Sequence, residues 1–125
     1  MKLEEVRIEL IEYGKKLLDM NLTTGTGGNL SVFDRKSNTM AITPSGIAYY
    51  DIKPDQIILI DVETGRIVEG EAVPSSELDM HRIFYKYRDD LDAIIHTHTP
   101  YATTLACLGH ERTEEHTTEL QSHHD

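Results

Sequence analysis

Between residues 3 and 20 the apolar side chains recur in steps of three and four. Leu3, Val6, Leu10, Tyr13 and Leu17 make one stripe, and Ile11 and Leu18 widen it. That period predicts an amphipathic helix. Glu4, Glu5, Arg7, Glu9, Lys15 and Lys16 fall on the other face, acids early and lysines late, as the helix dipole favours. The period then shortens. Leu30 to Phe33 and Thr39 to Ile42 read as two strands of a hairpin, joined by the polar turn Asp34 to Asn38. Thr43-Pro44-Ser45-Gly46 marks a tight turn. Asp51 to Asp55, with Pro54 inside it, reads as a loop or short turn. Ile57 to Ile60 is a continuous apolar run, typical of a strand covered on both faces. Glu63-Thr64-Gly65 turns it back into Arg66-Ile67-Val68.

A second helix opens at Pro74-Ser75-Ser76-Glu77 and carries Met80, Ile83, Phe84 and Tyr87 on one stripe. Asp89-Asp90 ends it, and Leu91 to His98 follows as a strand. Thr99-Pro100 then predicts a third helix, with Thr99 as cap and Pro100 at the first position. Tyr101, Leu105 and Leu108 would give it an apolar side beside Ala102 and Ala106, and Gly109 would stop it. From His110 to Asp125 the only aliphatic side chain is Leu120, so this His- and Glu-rich tail cannot bury a face. It is expected to be disordered or weakly helical. The break in composition is abrupt enough to suggest a truncated or altered reading frame. The expected organisation is one domain over residues 1–109 and an atypical tail over 110–125, with no internal repeat.

Composition narrows the partners. Twenty-two acidic against 12 basic side chains give a formal net charge of −10. That argues against nucleic acid, which wants a basic footprint. Cys107 is the single cysteine, so no internal disulfide is possible and a reducing compartment fits. No basic segment followed by a long apolar run marks a signal peptide, and no apolar run approaches membrane-spanning length. A cytoplasmic protein is expected.

Ile94-Ile95-His96-Thr97-His98 carries the first chemistry. Side chains two apart on a strand point to one side, so His96 and His98 aim into one space. A strand end can in this way offer two of the three protein ligands of a catalytic zinc; a polar strand end is the plain alternative. Thr23-Thr24-Gly25-Thr26-Gly27-Gly28-Asn29 is a glycine- and hydroxyl-rich loop whose N–H groups can form an anion-binding concavity, or simply a turn. It is not a dinucleotide fingerprint, because a helix precedes it and a strand follows. Ser45-Gly46 supplies a second place for a phosphate. Ser75 and Ser76 at a helix start supply a third, though capping explains them too. Glu77 beside them could serve as a base. His81, one turn on, reads as a surface or core-edge histidine.

Taken in order, Gly25-Thr26-Gly27-Gly28-Asn29-Leu30-Ser31, Ile42-Thr43-Pro44-Ser45-Gly46, Pro74-Ser75-Ser76-Glu77 and His96-Thr97-His98 resemble the class II aldolase/adducin family. The resemblance runs from about Leu3 to Gly109. It implies a three-layer α/β/α fold around a central, largely antiparallel mixed sheet, with the C-terminal part missing. It implies one Zn2+ per subunit held by His96, His98 and Glu77, the last also acting as proton shuttle. It implies a sugar phosphate as small-molecule substrate, its phosphate held by Thr26, Gly28, Asn29, Ser45, Gly46, Ser75 and Ser76. Neutral donors and a helix N-terminus would hold that anion without Lys or Arg. A homotetramer is implied as well.

Family members continue past Gly109 with a third histidine ligand and a tyrosine used in catalysis, and neither is recognisable in this chain. The resemblance therefore leaves the activity of this short chain open. The same motifs fit an aldolase, a pentulose-phosphate epimerase or a thio-sugar-phosphate dehydratase. An adducin-like interaction module is the non-enzymatic alternative.

Overall fold

The computed structural model describes residues 1–23, 27–71, 77–98, 102–109 and 117–123. Seven strands form one sheet: β1 (Asn29–Asp34), β2 (Thr39–Ile42), β3 (Ile58–Asp61), β4 (Ile67–Glu69), β5 (Leu91–His98), β6 (Ala102–Gly109) and β7 (Thr117–His123). Their order is β4-β3-β2-β1-β5-β6-β7. Every pairing is antiparallel, so the sheet is not mixed. Helix α1 (Glu4–Asp19) packs on one face and α2 (Leu78–Tyr87) on the other. The expected three-layer α/β/α arrangement is present.

Strand alternation divides the core in two. On the α1 side Leu30, Ala41 and Leu59 meet Leu10 and Ile11. On the α2 side Phe33, Met40, Ile42, Ile58, Ile60 and Ile94 meet Tyr85. The β3 run is buried on both faces, as its unbroken apolar sequence predicts. The hairpins β1–β2 and β3–β4 stand where the periodicity placed them.

Several expectations need correction. Arg7 is fully buried, not on the solvent face of α1. Its guanidinium donates to the carbonyls of Lys2 (2.7 Å), Pro54 (2.9 Å) and Ile57 (3.3 Å), and pairs with the Glu69 carboxylate at 2.6 Å. With its donors used this way the charge is tolerated inside. Tyr13, placed in the apolar stripe, is exposed. Ala102 to Gly109 is a strand and not a helix, because β5 offers it a full ladder from Leu91–Gly109 to His98–Thr103. The capping role expected of Thr99 and Pro100 lies outside the described residues.

Thr117–His123 pairs with β6 as an outer strand, where composition predicted no fixed structure. Backbone pairing asks little of side-chain hydrophobicity, which is why composition misses it. Residues 110–116 and 124–125 of the tail lie outside the described residues.

Candidate active site

The site lies where β1 begins and β2 and β5 end. Helix α1 closes with Leu22 N–H donating to Leu17 C=O (2.9 Å) and Asn21 N–H to Leu18 C=O (3.1 Å), Asn21 taking the left-handed conformation. This C-terminal motif turns the chain back toward the sheet. Thr23 then donates its hydroxyl to the Gly27 carbonyl at 2.7 Å. The Tyr49 hydroxyl donates to the same carbonyl at 3.3 Å. Burial pushes the Tyr49 pKa up to about 12, so it stays a donor.

Gly28 follows with φ of 78°, and its backbone presses against β5. A Cβ there would overlap the His96 carbonyl oxygen and lie 3.2 Å from Thr97 Cα. Only glycine meets both demands. Asn29 is next and stands directly across the β1–β5 ladder from His96. Opposed residues in an antiparallel pair share one face, so Asn29 and His96 both look toward α2. Glu77 sits immediately before α2, and its Oε2 meets His96 Nδ1. Two predicted metal-binding side chains are thus in contact, beside two predicted phosphate-binding residues.

Thr43 ties the next piece in. Its N–H donates to Leu30 C=O at 3.0 Å, and its Oγ1 accepts from Leu30 N–H at 3.1 Å. Exposed Ser45 and Gly46 follow in the turn at this same end of the sheet. His98 is the last residue of β5, and its side chain lies outside the described residues, as do Thr26, Ser75 and Ser76. Among the described residues no cluster of three His, Cys, Asp or Glu side chains is gathered for a metal.

Under this site runs a buried chain that the sequence reading missed. His81 is fully buried, not at the surface or core edge. Its Nε2 meets Asn29 Oδ1, and its Nδ1 lies 2.6 Å from Ser31 Oγ. Ser31 Oγ lies 2.7 Å from the Tyr85 hydroxyl. Burial first, and then the neighbouring His96, push the His81 pKa down to about 3, so the ring is neutral and carries one proton. An amide oxygen only accepts, so that proton is on Nε2. Nδ1 then accepts from Ser31, whose single hydroxyl proton is used, and Tyr85 donates to Ser31. Two spacings hinted at this arrangement. His81 follows Glu77 by four residues on a helix, and Ser31 follows Asn29 by two on a strand.

Comparison with known proteins gives the family of the chain. The family model for the class II aldolase and adducin N-terminal domain matches residues 8–124. The chain belongs to that family. The match crosses the boundary expected at residue 109. A 5-deoxy-D-ribulose 1-phosphate aldolase from Bacillus thuringiensis serovar kurstaki is 50% identical over 111 residues, covering 89% of this chain and 52% of the relative. A 5-methylthioribulose-1-phosphate/5-deoxyribulose-1-phosphate aldolase from Rhodospirillum rubrum is 40% identical over 104 residues, covering 83% and 45%. A solved L-fuculose 1-phosphate aldolase superposes with a TM-score of 0.74 at 60% identity, covering 78% of this chain and 45% of the other. This class II aldolase-family chain spans about half the length of the relatives it matches.

Proposed function

We propose that this chain carries part of the active site of a zinc-dependent aldolase that cleaves a phosphorylated ketose, of the L-fuculose 1-phosphate type, into dihydroxyacetone phosphate and an aldehyde. The contact of Glu77 with His96, beside the Gly28-Asn29 loop, carries this reading. Relatives named as aldolases of ketose 1-phosphates support it.

An imidazole nitrogen and a carboxylate oxygen touching at a buried strand end are a donor pair that zinc accepts. In the proposed enzyme His96, His98 and Glu77 would hold the resting ion, and Glu77 would then be released to act as proton shuttle. When bound, zinc supplies Lewis-acid stabilisation of the negative charge that develops on the ketose oxygens. The remaining work falls to the protein. Gly28 and Asn29, with Thr26, Ser45, Gly46, Ser75 and Ser76, hold the phosphate through neutral donors and so fix the reacting carbons in place. Glu77 takes the hydroxyl proton as the carbon–carbon bond breaks; the bonding pair passes into the enediolate. The same proton returns to the enediolate carbon, so one carboxylate balances the step.

A homotetramer working in the cytoplasm completes the reading. Among the described residues no helix is long and apolar enough to cross a membrane. The test is an assay of the purified chain on ketose 1-phosphates, with and without a zinc chelator. Release of dihydroxyacetone phosphate that stops on chelation is expected. Turnover that ignores the chelator overturns the metal role. Isomerised ketose without cleavage identifies an epimerase, and a purified chain that holds no zinc favours an adducin-like interaction module over the enzyme.

A further inference from the structure

The buried chain Tyr85–Ser31–His81–Asn29 does more than fill the core. Each link has one donor and one acceptor, and the direction runs from the Tyr85 hydroxyl at the far end toward the Asn29 oxygen. Tyr85 is held protonated, its pKa raised above the ordinary value chiefly by burial, and its hydroxyl meets Ser31 Oγ. Its hydroxyl proton therefore goes to Ser31, the Ser31 proton to His81 Nδ1, and the His81 Nε2 proton to Asn29 Oδ1. The Asn29 amide is planar, so fixing its oxygen fixes its nitrogen on the opposite branch. An unanchored Asn amide can turn over and present oxygen where nitrogen stood. At a site for an anion that exchange replaces an attraction with a repulsion.

We propose that His81 is a positioning residue: through Nε2–H it locks the Asn29 amide with its oxygen inward and its NH2 group as the donor offered to an anionic substrate. This rests on the reading of Asn29 as a phosphate ligand. The role asks for a neutral imidazole in the Nε2–H form and for Ser31 and Tyr85 behind it. Serine and tyrosine on the adjoining strand and helix turn are there because Nδ1 needs a donor, and a hydrophobic pair would leave it orphaned in the core.

Two replacements separate positioning from packing. In His81→Gln the side-chain NH2 reaches about as far as Nε2 and can still donate to Asn29 Oδ1. In His81→Asn the amide reaches only as far as Nδ1, so the link to Asn29 is lost. Inorganic phosphate is titrated into the full chain and followed by the NMR signals of the Asn29 side-chain NH2. The ring nitrogens of His81 are read in the same samples.

The expected result is the Nε2–H tautomer, phosphate affinity lowered about tenfold in His81→Asn, and near-normal affinity in His81→Gln. Equal affinity in folded wild type and His81→Asn overturns the proposal. So does an Nδ1–H ring. If either variant fails to fold, the tautomer and the two Asn29 NH2 resonances of the wild type decide it. A wild type that binds no phosphate counts against Asn29 as an anion ligand, and the wiring is then judged on the tautomer alone.

Discussion

Gly28 lies against the backbone of His96, closer than any side chain at position 28 would allow. The phosphate-loop candidate and the metal-ligand candidate are therefore held together by main chain, before any side chain contributes. Gly28→Ala meets both a φ of 78° and an overlap with the His96 carbonyl. The variant is expected to lose about 2 kcal/mol of stability, read as a lower urea midpoint. Its amide signals should shift at His96 and Thr97.

Glu77→Gln keeps the shape of the side chain and removes its ability to carry a proton. Far-UV circular dichroism should be unchanged, while dihydroxyacetone phosphate release falls by roughly a hundredfold or more. Full activity in this variant removes Glu77 from the proposed mechanism.

His96→Ala tests the metal by stability and not by rate. A ligand bound only to the folded state adds about 4 kcal/mol at a thousandfold excess over its Kd. Zinc should therefore raise the melting temperature of the wild type, and a chelator should reverse it. In His96→Ala both effects should shrink to nothing.

Arg7 holds α1 against the loop before β3 and against Glu69 of β4. Arg7→Ala leaves the Pro54 and Ile57 carbonyls without this donor and opens space under α1. A loss of about 3 kcal/mol is expected. Glu69→Ala should cost less, because the Glu69 side chain is exposed and water can replace its role at the surface.

The buried imidazole predicts a pH dependence. His81 is shifted from an ordinary 6.5 down to about 3. Within that window the unfolded chain takes up a proton that the folded chain refuses. Stability is therefore intact above about 6.5 and falls as the pH drops toward 3. From this group alone the slope is at most about 1.4 kcal/mol per pH unit. His96, Glu77 and Tyr85 face the same region, so the His81 share is taken from the difference between wild type and His81→Gln. Urea midpoints across the window should fall less steeply in the variant.

Much of the fold was legible where the pattern was strict. The three- and four-residue steps of α1, the two hairpins and the unbroken Ile run of β3 each follow from one period and its turn residues. Reading failed where one residue type serves two environments. Arg7 looks like a solvent-face cation until four acceptors surround it. Residues 102–109 carry an apolar spacing that suits a helix, and an open ladder on β5 made them a strand instead. His81 has the same letter whether it is wet or buried, and only the docking of α2 on the β1 face that carries Asn29 and Ser31 makes it a core residue.

By itself the sequence determined the local elements from α1 to β5, the glycine that the loop requires, and an order of motifs that names a family. Periodicity and backbone sterics act between near neighbours, so they are written in adjacent letters. The tertiary structure alone decided that Asn29 stands opposite His96, that Glu77 reaches His96, and that Tyr85, Ser31, His81 and Asn29 form one directed chain. Those relationships depend on the pairing of β1 with β5 and the docking of α2. Strand register and helix packing are set by the summed burial of two faces, which no single stretch of the chain contains.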